Sequence, residues 1–141
     1  MKFTVMLTAA LLCWAWVPAT HADDALAGAL EQVSKSQIEA FNRADVDAAM
    51  AYTHTKSPTY DAARATITEY LKNQKLAAEQ VSFKYVGHDD EFAVARVKVK
   101  VSSPGTEGFQ PTTTDTMTLF HQEGGSWKVW DAYLIGAEIG K

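Results

Sequence analysis

The chain has 141 residues, with 13 lysines and arginines against 17 aspartates and glutamates, a formal net charge of −4 and 47% hydrophobic residues. An acidic chain of this size can hold one domain with a respectable core, and it offers little to a nucleic-acid backbone. Its single cysteine, Cys13, excludes a disulfide framework.

Lys2 precedes an apolar run from Val5 to Val17, followed by Pro18 and the small-residue exit Thr20-His21-Ala22 before Asp23-Asp24. This three-part layout predicts a secretory signal cleaved after Ala22. The run is shorter than the roughly 20 residues of a bilayer span, so no stable membrane anchor is expected. Leu12 is too large for the position before a lipidated cysteine. Residues 1–22 are therefore read as a signal peptide and 23–141 as one exported domain, periplasmic or secreted. That domain lacks cysteine and any Asn-x-Ser/Thr acceptor, so its stability in an oxidising compartment must come from packing.

Leu26, Leu30, Val33, Gln37 and Phe41 recur at three- and four-residue steps and predict an amphipathic first helix, broken at Asn42-Arg43-Ala44. Asp45 can cap a short second helix carrying Val46, Ala49, Met50 and Thr53 and ending near His54. Ser57-Pro58 restarts the chain. Thr66 and Glu69 have capping-box spacing ahead of a third helix with Ile67, Tyr70 and Leu71, running to about Leu76.

From Val81 the period changes to two. Val81, Phe83 and Tyr85 alternate with polar residues up to the turn cluster Gly87-His88-Asp89-Asp90. Ala93, Ala95, Val97, Val99 and Val101 face a core, while Arg96, Lys98 and Lys100 face water. After a Pro/Gly loop over residues 102–108, residues 112–121 alternate threonines with Asp115, Met117 and Leu119. A last strand, Trp127 to Ile135, follows Gly124-Gly125. The order predicts an α+β fold, with three N-terminal helices packed on a curved four-stranded antiparallel sheet that forms a cone with a hollow interior.

The last hairpin has two possible registers. A three-residue loop, Glu123-Gly124-Gly125, pairs Leu119 with Val129 and turns Trp127, Val129, Asp131 and Tyr133 inward with Asp115, Met117 and Leu119. A two-residue Gly-Gly turn leaves Asp131 outside and sends Trp130 inward. The first is preferred because it keeps Lys128 on the side of Lys98 and Lys100.

Phe41-Asn42-Arg43-Ala44-Asp45 at the helix break, Ile67-Thr68-Glu69-Tyr70-Leu71 in the third helix and the ending Gly-Gly-Ser-Trp-Lys-Val together resemble the NTF2-like superfamily, cystatin-like cones with SnoaL-like members, over almost the whole exported domain. The resemblance implies the fold. The superfamily holds isomerases, dehydratases and epoxide hydrolases beside ligand-binding and dimerisation modules, so function does not follow from it. An Asp-Pro-x-Gly segment like that of the steroid isomerases is absent between the second and third helices. Arg96 falls on the outer face, unlike the arginine of the epoxide-hydrolase set, so no catalytic residue carries over from either branch.

Asp131 stands out because burial in an apolar cone would raise its pKa and make it a base near neutrality, with Tyr133 as hydrogen-bond donor to an oxyanion and Asp115 facing Tyr133 across the strand pair. The plainer alternative is a solvated rim carboxylate. Tyr52, His54 and Tyr60 cluster at the handover between the second and third helices, near the mouth of such a cone, as ligand-binding candidates or as ordinary helix-end packing. Met117 and Trp127 complete the candidate ligand-binding wall. His88 and His121 read as surface residues, and the histidines lack ligand spacing, so neither a metal site nor a cofactor is expected.

The basic stripe Arg96, Lys98, Lys100 is flanked on the outer face by Thr114, Thr116, Thr118, Lys128 and Trp130. Phe120 and Trp130 there are awkward for water, which suggests self-association as a homodimer. With no phosphate loop, nucleophile elbow or thiol nucleophile in the exported domain, the leading expectation is a non-catalytic domain that binds a small apolar molecule or a protein partner, and no nucleic acid. The alternatives are a cofactor-free lyase or isomerase, SnoaL-like or ketosteroid-isomerase-like, using Asp131 as base, and a periplasmic immunity or inhibitor protein.

Overall fold

The computed structural model describes residues 20–73 and 75–140. The apolar run of the expected signal, with Cys13, lies outside the described residues. Helix α1 (Thr20–Asn42) includes the expected cleavage point after Ala22. It ends where Ala44 takes a left-handed φ of 56° and the Asp45 N–H donates to the carbonyl of Ala40 at 3.1 Å, a helix stop usually given to glycine. The Asn42 side chain then accepts from the Ala78 N–H and donates to the Ala78 carbonyl, at 2.7 and 2.8 Å, clasping the end of α1 to the sheet.

Asp45 caps α2 (Val46–Met50) by accepting from the Ala48 N–H at 2.9 Å. That helix stops short of the expected His54, because residues 52–54 run along a strand edge instead. The Val129 N–H donates to the Tyr52 carbonyl and the His54 N–H to the Val129 carbonyl, both at 2.8 Å. Helix α3 (Tyr60–Asn73) starts well before Thr66, so the Thr66/Glu69 spacing lies inside the helix and does not cap it.

Four strands, β1 (Ala77–His88), β2 (Phe92–Ser102), β3 (Thr112–Glu123) and β4 (Ser126–Ile139), form one antiparallel sheet in sequence order. Three helices on this four-stranded sheet make the expected α+β fold. Alternation in β2 holds: Ala93, Ala95 and Val97 are buried against Leu30 of α1, and Arg96 is on the opposite face. In β1 the alternation breaks at a bulge, and Val81 is 54% exposed while Phe83 and Tyr85 pack on the core.

The last hairpin departs from the preferred register for two separate reasons. Glu123 pairs with Ser126 around a two-residue Gly124-Gly125 turn, with φ of 59° and 81°, so Phe120 pairs with Val129 and His121 with Lys128. Phe120, expected outside, is fully buried in the core, and Leu119, Met117 and Asp115 face away from the helices. Then a bulge at Trp130 pairs Leu119 with Asp131 and reverses the alternation that Trp127 and Val129 begin. Asp131 and Tyr133 therefore share the convex face with Asp115 and Met117, and Ala132 takes the inward position.

Thr114, Thr116 and Thr118, expected outside, face the helices. Burial is tolerable because the Thr114 and Thr116 hydroxyls donate to the carbonyls of Val99 and Val97 at 3.3 and 3.2 Å. With Phe120 in the core and Trp130 in an aromatic cluster, neither supplies the exposed apolar patch from which self-association was expected.

Candidate functional site

Where the sheet curls away from the helices it leaves a hollow of about 630 Å³. Phe41 enters it from the last turn of α1, steadied by the neighbouring Asn42 clasp, and Ile67 and Tyr70 enter from α3 one helical turn apart. Val101 closes it from the end of β2, Thr112 and Thr114 from the start of β3, and Ala132 from β4 just beyond the bulge. Leu76 and Phe109 complete the wall. Phe109 sits in a loop that Ser103 ties down, its hydroxyl 3.0 Å from the Lys75 carbonyl and 2.7 Å from the Thr106 hydroxyl. Among the described residues no carboxylate, lysine, arginine or histidine lines this space. The ionisable group at its wall is the Tyr70 phenol, on a residue 54% exposed.

None of the residues expected at the site lines the hollow. Asp131 accepts from the Ala132 N–H at 2.8 Å and from the Thr59 hydroxyl at 3.3 Å, which ties it to the segment entering α3. Tyr133 is 56% exposed, and its hydrogen bond to Asp131 raises the phenol pKa by holding the proton. Asp115 pairs with Arg96 and not with Tyr133. The guanidinium donates to both carboxylate oxygens at 2.9 and 2.6 Å, and that pair, with Lys98 at 3.6 Å, holds the Asp115 carboxyl below its usual range. Met117 is half-buried on the same convex side.

Tyr52 and Trp127 lie together in a separate groove between α1 and the last hairpin, bordered by Val33 and Lys128. Tyr60 opens α3, half-buried, and does not line the groove that holds Tyr52. His54 is buried in an aromatic cluster, its ring 4.9 Å from both His121 and Trp130, with Phe92 4.7 Å from His121. Its Nδ1 accepts from the Lys56 N–H at 3.0 Å and lies 3.6 Å from a Glu123 carboxylate oxygen. Glu123 borders the cluster. It accepts from the Thr55 hydroxyl and N–H and pairs with Lys128 at 3.0 Å, and these interactions hold its pKa at about 2. This is a fastening of residues 53–57 to the sheet edge. Among the described residues no group of three or more His, Cys, Asp or Glu side chains is placed to hold a metal.

Three helices against a curled antiparallel meander, with an apolar hollow between them, define an NTF2-like α+β domain. Solved structures of that class agree. A protein of unknown function from Mycobacterium tuberculosis matches with a TM-score of 0.71 at 12% identity, over 85% of this chain and 76% of its own. An NTF2-like protein of unknown function from Pseudomonas putida matches at 0.65 and 13%, over 79% and 86%. A ketosteroid isomerase-like protein from Erwinia carotovora atroseptica matches at 0.57 and 18%, over 78% and 96%. At these identities the likeness is one of fold. The chain belongs to the family described as the C-terminal domain of anti-sigma-I factor RsgI9, whose profile matches residues 32–138. No curated protein is significantly similar to it in sequence.

Proposed function

We propose that this chain is a non-catalytic binding domain whose hollow holds one small, uncharged, mainly apolar molecule. The carrying observation is the composition of the wall: about 630 Å³ bounded by Phe41, Ile67, Leu76, Val101, Phe109 and Ala132, with hydroxyls but, among the described residues, no carboxylate or imidazole. A space of that size is in the range of small-molecule pockets, and an apolar lining with a few polar groups is their usual make-up. Proton abstraction needs a base within reach of the bound carbon, and the described wall supplies no carboxylate or imidazole for it. The family is named for a regulator, which favours sensing a ligand over turning one over. On the sequence signal of residues 1–22 we place the domain outside the cytoplasm.

The test is titration with the neutral dye N-phenyl-naphthylamine. Saturable binding at one site is expected, with loss of at least tenfold in affinity in Ala132→Phe, which fills the hollow from its β4 wall. Wild-type binding by that variant, with its fold intact by circular dichroism, would overturn the assignment.

A further inference from the structure

Sequence order in the sheet leaves β4 at one margin, with β3 along one side of it. Its other side is occupied near its start, where the Val129 N–H and C=O bond to Tyr52 and His54 and the Trp130 carbonyl accepts from the Ser57 hydroxyl. Beyond Asp131 no strand pairs with that side among the described residues. Ala132, Leu134, Ala137 and Ile139 stand opposite Thr118, Thr116, Thr114 and Thr112, alternate residues of a strand that pairs with β2 without a break. Alternate residues of an antiparallel ladder either all bond to a given neighbour or all turn from it. The Gly140 N–H donates to the Pro111 carbonyl at 2.8 Å, one step along, so the four β4 residues turn their own N–H and C=O away from β3. Asp131 takes up the Ala132 N–H, and the rest of the row is an open strand edge.

Edges of this kind are ordinarily guarded by charge, by proline or by being short. The stretch from Ala132 to Ala137 has no charged residue and no proline, and it is apolar on both faces. Leu134, 64% exposed, lies on the concave side with Ala132 and Ala137, and Tyr133 lies on the convex side beside Met117. Ile135, the extra residue of a bulge, and Ile139, 70% exposed, lengthen the patch. Of the seven large hydrophobic side chains that are more than half exposed among the described residues, four belong to this one strand, which makes it a contiguous patch and not a scatter.

We infer that a second copy of this chain docks on that edge, the two β4 strands pairing antiparallel about a two-fold axis into one continuous sheet. An open backbone row is satisfied by another strand, and apolar side chains on both faces fit a strand that is apolar on both faces. β4 is itself such a strand, and identical edges paired antiparallel make the same contacts twice and close. A register centred between Ile135 and Gly136 sets Leu134 opposite the partner's Ala137 and Ala132 opposite the partner's Ile139. Each branched side chain then meets an alanine. Tyr133 falls opposite the partner's Glu138 and Asp131 opposite the partner's Gly140, so no like charges face each other across the seam. The self-association that Phe120 and Trp130 suggested in the sequence moves from the outer face of the sheet to its margin.

The measurement is sedimentation velocity of the purified protein at about 100 µM, far above a micromolar dissociation constant. Wild type should sediment as a dimer. Leu134→Lys places a charge on the edge, and Ala137→Pro deletes an outward N–H while leaving the bonds to β3 in place; each should weaken the dimer roughly tenfold or more. Val86→Lys, at a similarly exposed position on β1 at the opposite margin, should leave it unchanged. Should Ala137→Pro unfold the protein, Leu134→Lys, with its fold checked by circular dichroism, carries the comparison. A wild-type monomer overturns the inference, including one whose edge takes up a strand of another protein instead. A dimer that survives Leu134→Lys undiminished overturns it as well, because the contact then lies elsewhere.

Discussion

The two faces of the sheet carry different kinds of polar residue, and the contrast explains what each can do. The concave face presents Ala, Val and Thr, whose few polar atoms are satisfied by neighbouring strand carbonyls, and it leaves room for a guest. The convex face holds the carboxylates, cations and phenol that could do chemistry, but they are paired with one another: Arg96 with Asp115, Tyr133 with Asp131. These paired side chains and the open hollow therefore lie on opposite sides of one layer of backbone, and Tyr70 is the ionisable group among the described residues that line the hollow.

The contrast breaks most visibly at the adjacent residues Phe120 and Leu119. Phe120 is fully buried among Leu30, Ala93 and Ala95, so Phe120→Ala should cost about 3–5 kcal/mol in urea denaturation. Leu119→Ala, on the half-buried convex side, should cost about 1 kcal/mol. Equal losses would mean that the two-residue hairpin register is wrong. Next in size is Asn42→Ala. It removes both hydrogen bonds to Ala78 that hold Phe41 at the hollow, with an expected loss of about 1–2 kcal/mol and a weaker dye complex. A stability loss with unchanged dye affinity would show that the clasp does not shape the cavity.

Acid sharpens the convex side of the comparison. Glu123 titrates at about 2 in the folded protein against 4.5 ordinarily, and Asp115 is also lowered. For a carboxylate whose folded pKa is depressed, the stabilisation is complete above the unfolded value and is lost as protons bind on the way down through the folded one. Stability should therefore fall between about pH 4.5 and pH 2. Glu123→Gln, which removes that titration, should flatten this limb in thermal melts across the window. A limb as steep as in wild type would assign the loss to other carboxylates.

Much of the fold could be read from residues whose meaning is local. The three- and four-residue steps from Leu26 to Phe41, the Asp45 cap and the unbroken alternation of Ala93 to Val101 each announce an element without reference to anything distant. The site could not be read the same way, because its geometry depends on one extra residue. Trp127 and Val129 do face the core, and strict alternation would carry Asp131 and Tyr133 in after them. The bulge at Trp130 reverses that order, and it sits beside the docking of residues 52–54 on the strand edge at Val129, a contact between segments some 75 positions apart in sequence. The threonines of β3 misled for a related reason. Thr114 and Thr116 look solvent-facing until the β2 carbonyls that satisfy them are in place.

The smallest expected effect is the most discriminating. Asp131 and Ala132 are consecutive, yet the register sets them on opposite faces, so Ala132→Phe should weaken dye binding at least tenfold while Asp131→Asn should leave its affinity within about twofold. The asparagine keeps the size of the side chain and can still accept from the Ala132 N–H and the Thr59 hydroxyl, so the strand edge should hold its shape. Removing the carboxylate should also relieve the Tyr133 phenol, whose pKa would fall toward 10 and register in an ultraviolet titration. That shift proves the substitution has reached its target even when binding does not change. If instead Asp131→Asn weakens the dye complex tenfold or more, the carboxylate communicates with the hollow, and the proton-abstraction chemistry that the sequence offered as the alternative regains a physical route.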